Sequence, residues 1–228
     1  MARRVSKYMK SEEENNSKIF NLLPKNENQQ LYINSIRENT QTIVTGPAGT
    51  GKTFVAATEA ANLYLCKEID RIILTRPNIG AGKSLGYFPG TLEDKMDPWM
   101  KPITDVLRNR LGANKYENDV KKGNIEVAPF ETMRGRSFDN SFIILDEAQN
   151  TDITQLKMFM TRIGVNTKVV VNGDVNQTDL DKNSGLARLI KIAKDNNIKC
   201  GIVEFEVDDI VRSDITKEWI IAFDKEKV

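Results

Sequence analysis

The chain has 228 residues, 39% of them hydrophobic and 29% charged, with a formal net charge of +1. That balance suits one soluble domain with appendages and gives no global field to recruit nucleic acid, so any such contact must use a local basic patch. The absence of histidine excludes histidine acid–base catalysis and histidine metal sites, and two cysteines are too few for a disulfide framework, so a reducing cytoplasm is the expected setting.

Residues 1–18 contain Arg3 and Arg4 but no apolar centre, so they read as a charged, mobile tail rather than a secretory leader. No apolar run approaches the roughly 20 residues of a membrane span. Gln29 and Tyr32 stand just ahead of the first predicted strand. An amide there can read the edge of a base and a ring can stack on it, although an ordinary helix face explains the same residues. Thr42–Thr45 is a strand that runs into Gly46-Pro47-Ala48-Gly49-Thr50-Gly51-Lys52-Thr53, a complete phosphate loop. Its glycines permit a tight turn with N–H groups aimed at an anion, Lys52 offers a charge to the β- and γ-phosphates, and Thr53 offers a hydroxyl to Mg²⁺. An Ala-rich helix follows over Thr53–Cys66, with Cys66 on its buried side, and its N-terminal dipole adds to the anion site. Arg71–Thr75 is a second buried strand, stopped by Pro77.

Residues 77–123 hold several glycines and prolines and are expected to form an ordered insertion with a short helix near Lys101–Leu111. Arg76, Lys83, Lys95 and Lys101 are interleaved there with Tyr87, Phe88 and Trp99. Basic and aromatic residues together suit single-stranded nucleic acid, and equally suit a core or a subunit interface.

Ile125–Ala128 is the third strand, followed by Arg134 and Arg136. Phe142–Leu145 is the fourth; it is apolar on both faces and ends in Asp146-Glu147-Ala148-Gln149. Asp146 is placed to complete a Mg²⁺ shell and Glu147 to activate water; the alternative is a solvated acidic turn. Asp152 and Gln155 open the next helix as a capping pair. Lys168–Asn172 is the fifth strand and leads through Gly173-Asp174 to Gln177. Gln177, with Gln149 as a second choice, is a candidate γ-phosphate sensor, although a Gly-Asp turn also accounts for Gly173 and Asp174. Ser184–Asn197 is a helix and Gly201–Val207 a sixth strand. Arg212 then sits at a loop-to-helix junction, where its guanidinium can neutralise transition-state charge, either in its own subunit or in a neighbour; Arg134 and Arg136 are further candidates, and surface ion pairs the alternative for all three. The last helix, Asp214–Lys225, is expected to bury Ile215, Trp219, Ile220 and Phe223.

Strands alternating with helices predict an α/β architecture, a doubly wound and mostly parallel sheet with helices on both faces, built as one P-loop NTPase domain over residues 19–228.

These stretches together resemble the PhoH family. The likeness rests on Thr75-Arg76-Pro77 through Gly82, Leu85-Gly86, Pro89-Gly90, Asp97-Pro98, Met133-Arg134-Gly135-Arg136 and Phe142–Asn150. It continues in Lys157-Met158-Phe159, Thr161-Arg162, Val169–Gln177 and Asp209-Ile210-Val211-Arg212. The family's phosphate-loop, Asp-Glu-Ala-Gln and Gly-Asp-x-x-Gln positions fall unchanged on Lys52, Thr53, Asp146, Glu147 and Gln177. The resemblance implies a RecA-like core similar to that of superfamily 1 helicases, binding and hydrolysis of ATP, a ring-shaped and hexameric homo-oligomer, and a link to RNA or single-stranded nucleic acid. Ser213 departs from the pattern, since many relatives have histidine there. Neither nuclease nor KH-like extensions are evident, which suggests a minimal version like those of bacteriophages. Two rival readings share the phosphate loop: a nucleotide-gated switch that binds a partner protein, and a small-molecule kinase. A poised general base for water argues against the kinase.

Overall fold

Ile, Val and Leu dominate six short runs, and burial on both sides favours the β-branched members in a sheet. The computed structural model describes residues 20–77, 92–177 and 184–226. Its strands are β1 (Gln41–Thr45), β2 (Arg71–Arg76), β3 (Ile125–Pro129), β4 (Ser141–Leu145), β5 (Lys168–Gly173) and β6 (Gly201–Glu204). They form one sheet in the order β3-β2-β4-β5-β1-β6, every pair parallel. The helices are α1 (Glu27–Glu38), α2 (Lys52–Leu65), α3 (Leu92–Leu111), α4 (Ala113–Lys121), α5 (Ile153–Met160), α6 (Gly185–Asp195) and α7 (Asp214–Glu226).

Strand side chains alternate between two cores. Ile72, Leu74, Phe142, Ile144 and Val170 face α1, α2 and α3. Ile73, Ile143, Leu145, Val169 and Val171 face α5 and α6. Each such side chain, fully buried, stabilises the domain by about 1.5–3 kcal/mol. The capping pair expected at α5 is present: Asp152 Oδ1 accepts from the Gln155 amide, and Gln155 Oε1 accepts from the Asp152 amide.

Three expectations differ from what is found. Among its described residues the insertion holds two helices rather than one short one, and α3 starts nine residues earlier than Lys101 and passes through Pro98 and Pro102. Its stripe of Met96, Met100, Ile103, Leu107 and Leu111 is buried against α2. Apolar packing at helical spacing therefore outweighs the backbone hydrogen bonds that the prolines remove. At α7, Ile215, Trp219 and Phe223 are exposed rather than buried, at 60%, 59% and 51%. Trp219 and Phe223 stack on each other, with ring centroids 5.5 Å apart. Cys66 is exposed because it is the C-cap of α2, beyond the last buried turn. The tail over residues 1–18, together with Lys83, Tyr87 and Phe88, lies outside the described residues.

Candidate functional site

β1 ends at Thr45, and the chain turns at once through the phosphate loop into α2. The turn needs glycine for two separate reasons. A Cβ on Gly46 would lie 2.4 Å from the Phe205 carbonyl oxygen. Gly49 has φ +85°, and a Cβ there would meet Arg212 Cγ at 2.9 Å. The loop floors a cavity of about 530 Å³ lined by Gly46, Ala48, Gly49, Gly51, Lys52 and Thr53. Pro47 and Thr50 shape the loop from outside this wall. The Thr50 hydroxyl donates to the Pro47 carbonyl at 3.1 Å, and Pro47 in turn accepts from Lys52. Lys52 Nζ donates to the carbonyls of Gly46 and Pro47 at 2.6 and 2.8 Å. Burial lowers the pKa of this ammonium, while Asp174, Asp146 and Glu147 work in the opposite direction.

Strand order explains how the acidic pair reaches the loop. β4, β5 and β1 are consecutive neighbours, with Leu145 opposite Val171 and Val44 opposite Asn172. Asp146, Asn172 and the start of α2 therefore converge at one sheet edge. Asn172 Nδ2 donates to Asp146 Oδ1 at 2.6 Å and to Thr53 Oγ1 at 2.9 Å. Thr53 Oγ1 lies 3.4 Å from the same Asp146 oxygen. Asp146 is buried, and its pKa is pushed up to about 6, first by desolvation and then by Glu147, with Arg76 and Lys52 pulling it back.

Glu147 follows in the left-handed region, with φ +54°. Such a conformation costs a non-glycine residue about 1–3 kcal/mol and is found where a side chain must be re-aimed. Glu147 Oε2 accepts from Gln149 Nε2 at 2.5 Å, and Oε1 lies 3.8 Å from a terminal nitrogen of Arg76. Gln149 Oε1 accepts from the Asp174 amide at 3.1 Å, so this amide ties the end of β4 to the loop after β5. Gln177 lines the same cavity.

Arg212 lines the cavity too, and it reaches the loop within its own chain: the Val211 amide donates to the Gly49 carbonyl at 3.0 Å. Gln29 is also in the wall, but its amide is engaged, with Nε2 donating to the Thr50 carbonyl and Oε1 accepting from the Lys25 amide, both at 2.9 Å. It braces the phosphate loop.

Two sequence expectations are corrected. Tyr32 is a core residue with no solvent exposure, packed edge-on to Phe205 at 5.9 Å, and burial holds its phenol well above the usual tyrosine range. It cannot stack on a base in the cavity. Arg136 forms a two-pronged ion pair with Glu126, at 2.5 and 2.8 Å, and covers the Phe138 ring; Arg71 holds the same carboxylate. This ties its guanidinium away from the site. Arg134 and Lys101 are exposed and stand outside the cavity wall. Arg76 and Trp99 meet, with the guanidinium 5.9 Å from the ring centroid.

Two parts of the site escape sequence reasoning. Asn172 could have been found from parallel pairing alone, since it ends the strand beside the phosphate loop. The apolar wall of Leu22, Leu23, Phe54, Pro102 and Val106 combines the segment before α1, the first turn of α2 and the insertion helix, and no local pattern joins them.

The Asn172 Oδ1 atom is buried without a partner beside Thr53 and Asp146. Oxygen donors, with neither thiolate nor imidazole, suit a hard cation such as Mg²⁺, and a single carboxylate suits an ion that keeps water and phosphate ligands. The residues present therefore fit that ion.

A parallel α/β sheet whose first strand feeds a G-x-x-x-x-G-K-T loop, with an Asp-Glu pair ending a nearby strand, defines a P-loop nucleoside triphosphatase fold. The chain belongs to the PhoH family: the family described as PhoH-like protein matches residues 21–224. It is 41% identical over 213 residues to a PhoH-like protein of Bacillus subtilis (strain 168), covering 92% of this chain and 66% of that protein. It is 44% identical over 202 residues to a PhoH-like protein of Mycobacterium tuberculosis (strain ATCC 25618 / H37Rv), covering 88% and 57%. With Protein PhoH of Escherichia coli (strain K12) the identity is 41% over 206 residues, covering 89% and 58%. The chain thus spans roughly three-fifths of the length of these relatives. The large terminase of a thermophilic bacteriophage shares the fold, with a TM-score of 0.54 at 12% identity over 87% of this chain and 50% of that one.

Proposed function

We propose that this chain binds ATP with Mg²⁺ in the 530 Å³ cavity and hydrolyses it to ADP and phosphate. One observation carries the reading: Thr53, Asp146 and Asn172 meet at hydrogen-bond distance beside the phosphate loop, with Glu147 next to them. Lys52 and the loop amides bind the phosphates. Thr53 and Asp146 would hold Mg²⁺, with Asn172 fixing their orientation; once bound, the ion neutralises charge on the phosphate oxygens. Glu147 takes a proton from the attacking water. The water oxygen bonds to the γ-phosphorus, the β–γ bridge breaks, and its electron pair leaves with ADP. Gln177 donates to the γ-phosphate, and Arg212 stabilises developing charge from within the same chain.

The same reading includes coupling to RNA or single-stranded nucleic acid in the cytoplasm, and a hexameric ring of this chain. Exposed Lys101 and Arg134 support the first, and the uncovered Ile215, Trp219 and Phe223 stripe supports the second. The test is ATP hydrolysis with and without single-stranded RNA or DNA across a salt series, beside a mass measurement. Lys52→Ala should lose nucleotide affinity, and Glu147→Gln should bind ATP yet hardly hydrolyse it. Parent-like turnover in Glu147→Gln refutes the role given to Glu147. A rate indifferent to nucleic acid even at low salt, where phosphate contacts are strongest, removes the coupling.

A further inference from the structure

Arg76 ends β2 with its side chain only 18% exposed, and it does not line the nucleotide cavity. It reaches the chemistry through its ion pair with Glu147, which does line the cavity, while its charge also acts on Asp146. Both carboxylate oxygens of Glu147 are engaged, Oε2 by Gln149 and Oε1 by the field of Arg76. A base must free one oxygen to receive a proton from water, and the 3.8 Å Arg76 contact is the looser of the two.

The other side of the guanidinium belongs to the insertion. A terminal nitrogen donates to the Trp99 carbonyl at 3.5 Å, and the Trp99 ring lies beneath it. Trp99, Pro102 and Val106 share one stripe of α3, spaced three and four residues apart. Pro102 and Val106 line the cavity. One helix face thus contacts both the nucleotide cavity and the cation beside the water-activating residue. The arrangement is weakly held. Both polar contacts are long, and Arg76 Nε is buried without a partner. A small shift of α3 is enough to strengthen or release it.

We propose that Arg76 is a positioning residue that restrains Glu147, and that α3 sets the restraint through Trp99. The inference rests on the ATPase reading above and adds its regulation: whatever occupies the cavity against Pro102 and Val106, or loads the insertion, moves Trp99 and so frees Glu147.

Steady-state ATP hydrolysis of the full chain tests this. Arg76→Gln should raise basal kcat by about 2- to 5-fold, as expected for release of one weakly held charge contact. KM for ATP should stay within about twofold, because Arg76 does not line the cavity. Arg76→Lys should return kcat most of the way to the parent value. Trp99→Leu leaves Arg76 in place and should raise kcat in the same direction; it carries the test if Arg76→Gln does not fold. An unchanged or lowered kcat in the folded variants, or KM moving with kcat, overturns the inference while Lys52-dependent turnover of the parent still stands. Parent turnover that survives Lys52→Ala overturns the ATPase reading, and the restraint with it.

Discussion

Asn172→Leu removes a side chain that bridges both proposed Mg²⁺ ligands. The leucine keeps the volume but withdraws Nδ2, which donates at 2.6 Å to Asp146 and at 2.9 Å to Thr53. A hydrogen bond to a charged acceptor contributes about 1.5–3 kcal/mol and a neutral one about 1 kcal/mol. Both acceptors sit in a largely buried site, so water replaces little of this. Part of the loss falls on folding, and thermal unfolding without nucleotide should shift down by about 2–4 °C per kcal/mol for a chain of this size. The rest falls on metal affinity. An outer hydrogen-bond partner of a metal ligand is typically worth about 10- to 100-fold, or 1.4–2.8 kcal/mol. The assay is hydrolysis at saturating ATP with Mg²⁺ titrated, which isolates the metal dependence. Half-saturation should move up about 10- to 100-fold. An unchanged Mg²⁺ dependence in a folded Asn172→Leu protein would refute the claim that Asn172 orients these ligands.

Gly49→Ala should lose nucleotide affinity and about 1–3 kcal/mol of stability, because its φ of +85° and the 2.9 Å approach to Arg212 both penalise a methyl group; nucleotide titration and a melt report the two parts separately. The Arg136 hydrogen bonds, and secondarily its charge, hold Glu126 below the usual glutamate value of 4.5, against the opposing pull of burial. The stability this pair contributes is therefore complete above that value and fades as pH falls through the depressed pKa. The melting-temperature gap between the parent and Arg136→Met should be widest near neutrality and close in acid, while turnover at neutral pH stays near the parent value; a gap that grows in acid contradicts the assignment. Trp219→Glu should lower the mass of any self-assembled species in analytical ultracentrifugation and leave the monomer's melting point nearly unchanged, since the ring is 59% exposed. A large drop in melting point would mean that the ring is packed within its own chain.

The phosphate loop, the six strands and the Asp146-Glu147 pair were legible because each rests on a local pattern. A loop needs glycines at fixed offsets, and a strand buried on both faces needs an unbroken apolar run. What stayed hidden depends on distant partners. Tyr32 and Gln29 stand one helical turn apart, yet one fills the core and the other braces the loop, a distinction made by Phe205 and Thr50. Arg136 stands as a further candidate in the sequence because nothing local marks its partner, Glu126, which holds it in the fold. The prolines of α3 read as breakers because its stabilising stripe acts against α2, more than thirty residues earlier. α7 shows the same apolar spacing as a buried helix, and only the fold reveals that Ile215, Trp219 and Phe223 are exposed while Ile220 is half-buried.

The sheet order has a consequence for how the chain is made. β1 pairs with β5 on one side and β6 on the other, so both of its neighbours are synthesised more than 120 residues after it. A ribosome-bound chain that has released only the glycine-rich turn and its helix has neither flanking strand to hold them, and Asn172 does not yet exist. Nucleotide recognition should therefore appear late and abruptly during translation, and long-range parallel pairing of this kind is intrinsically slow to form.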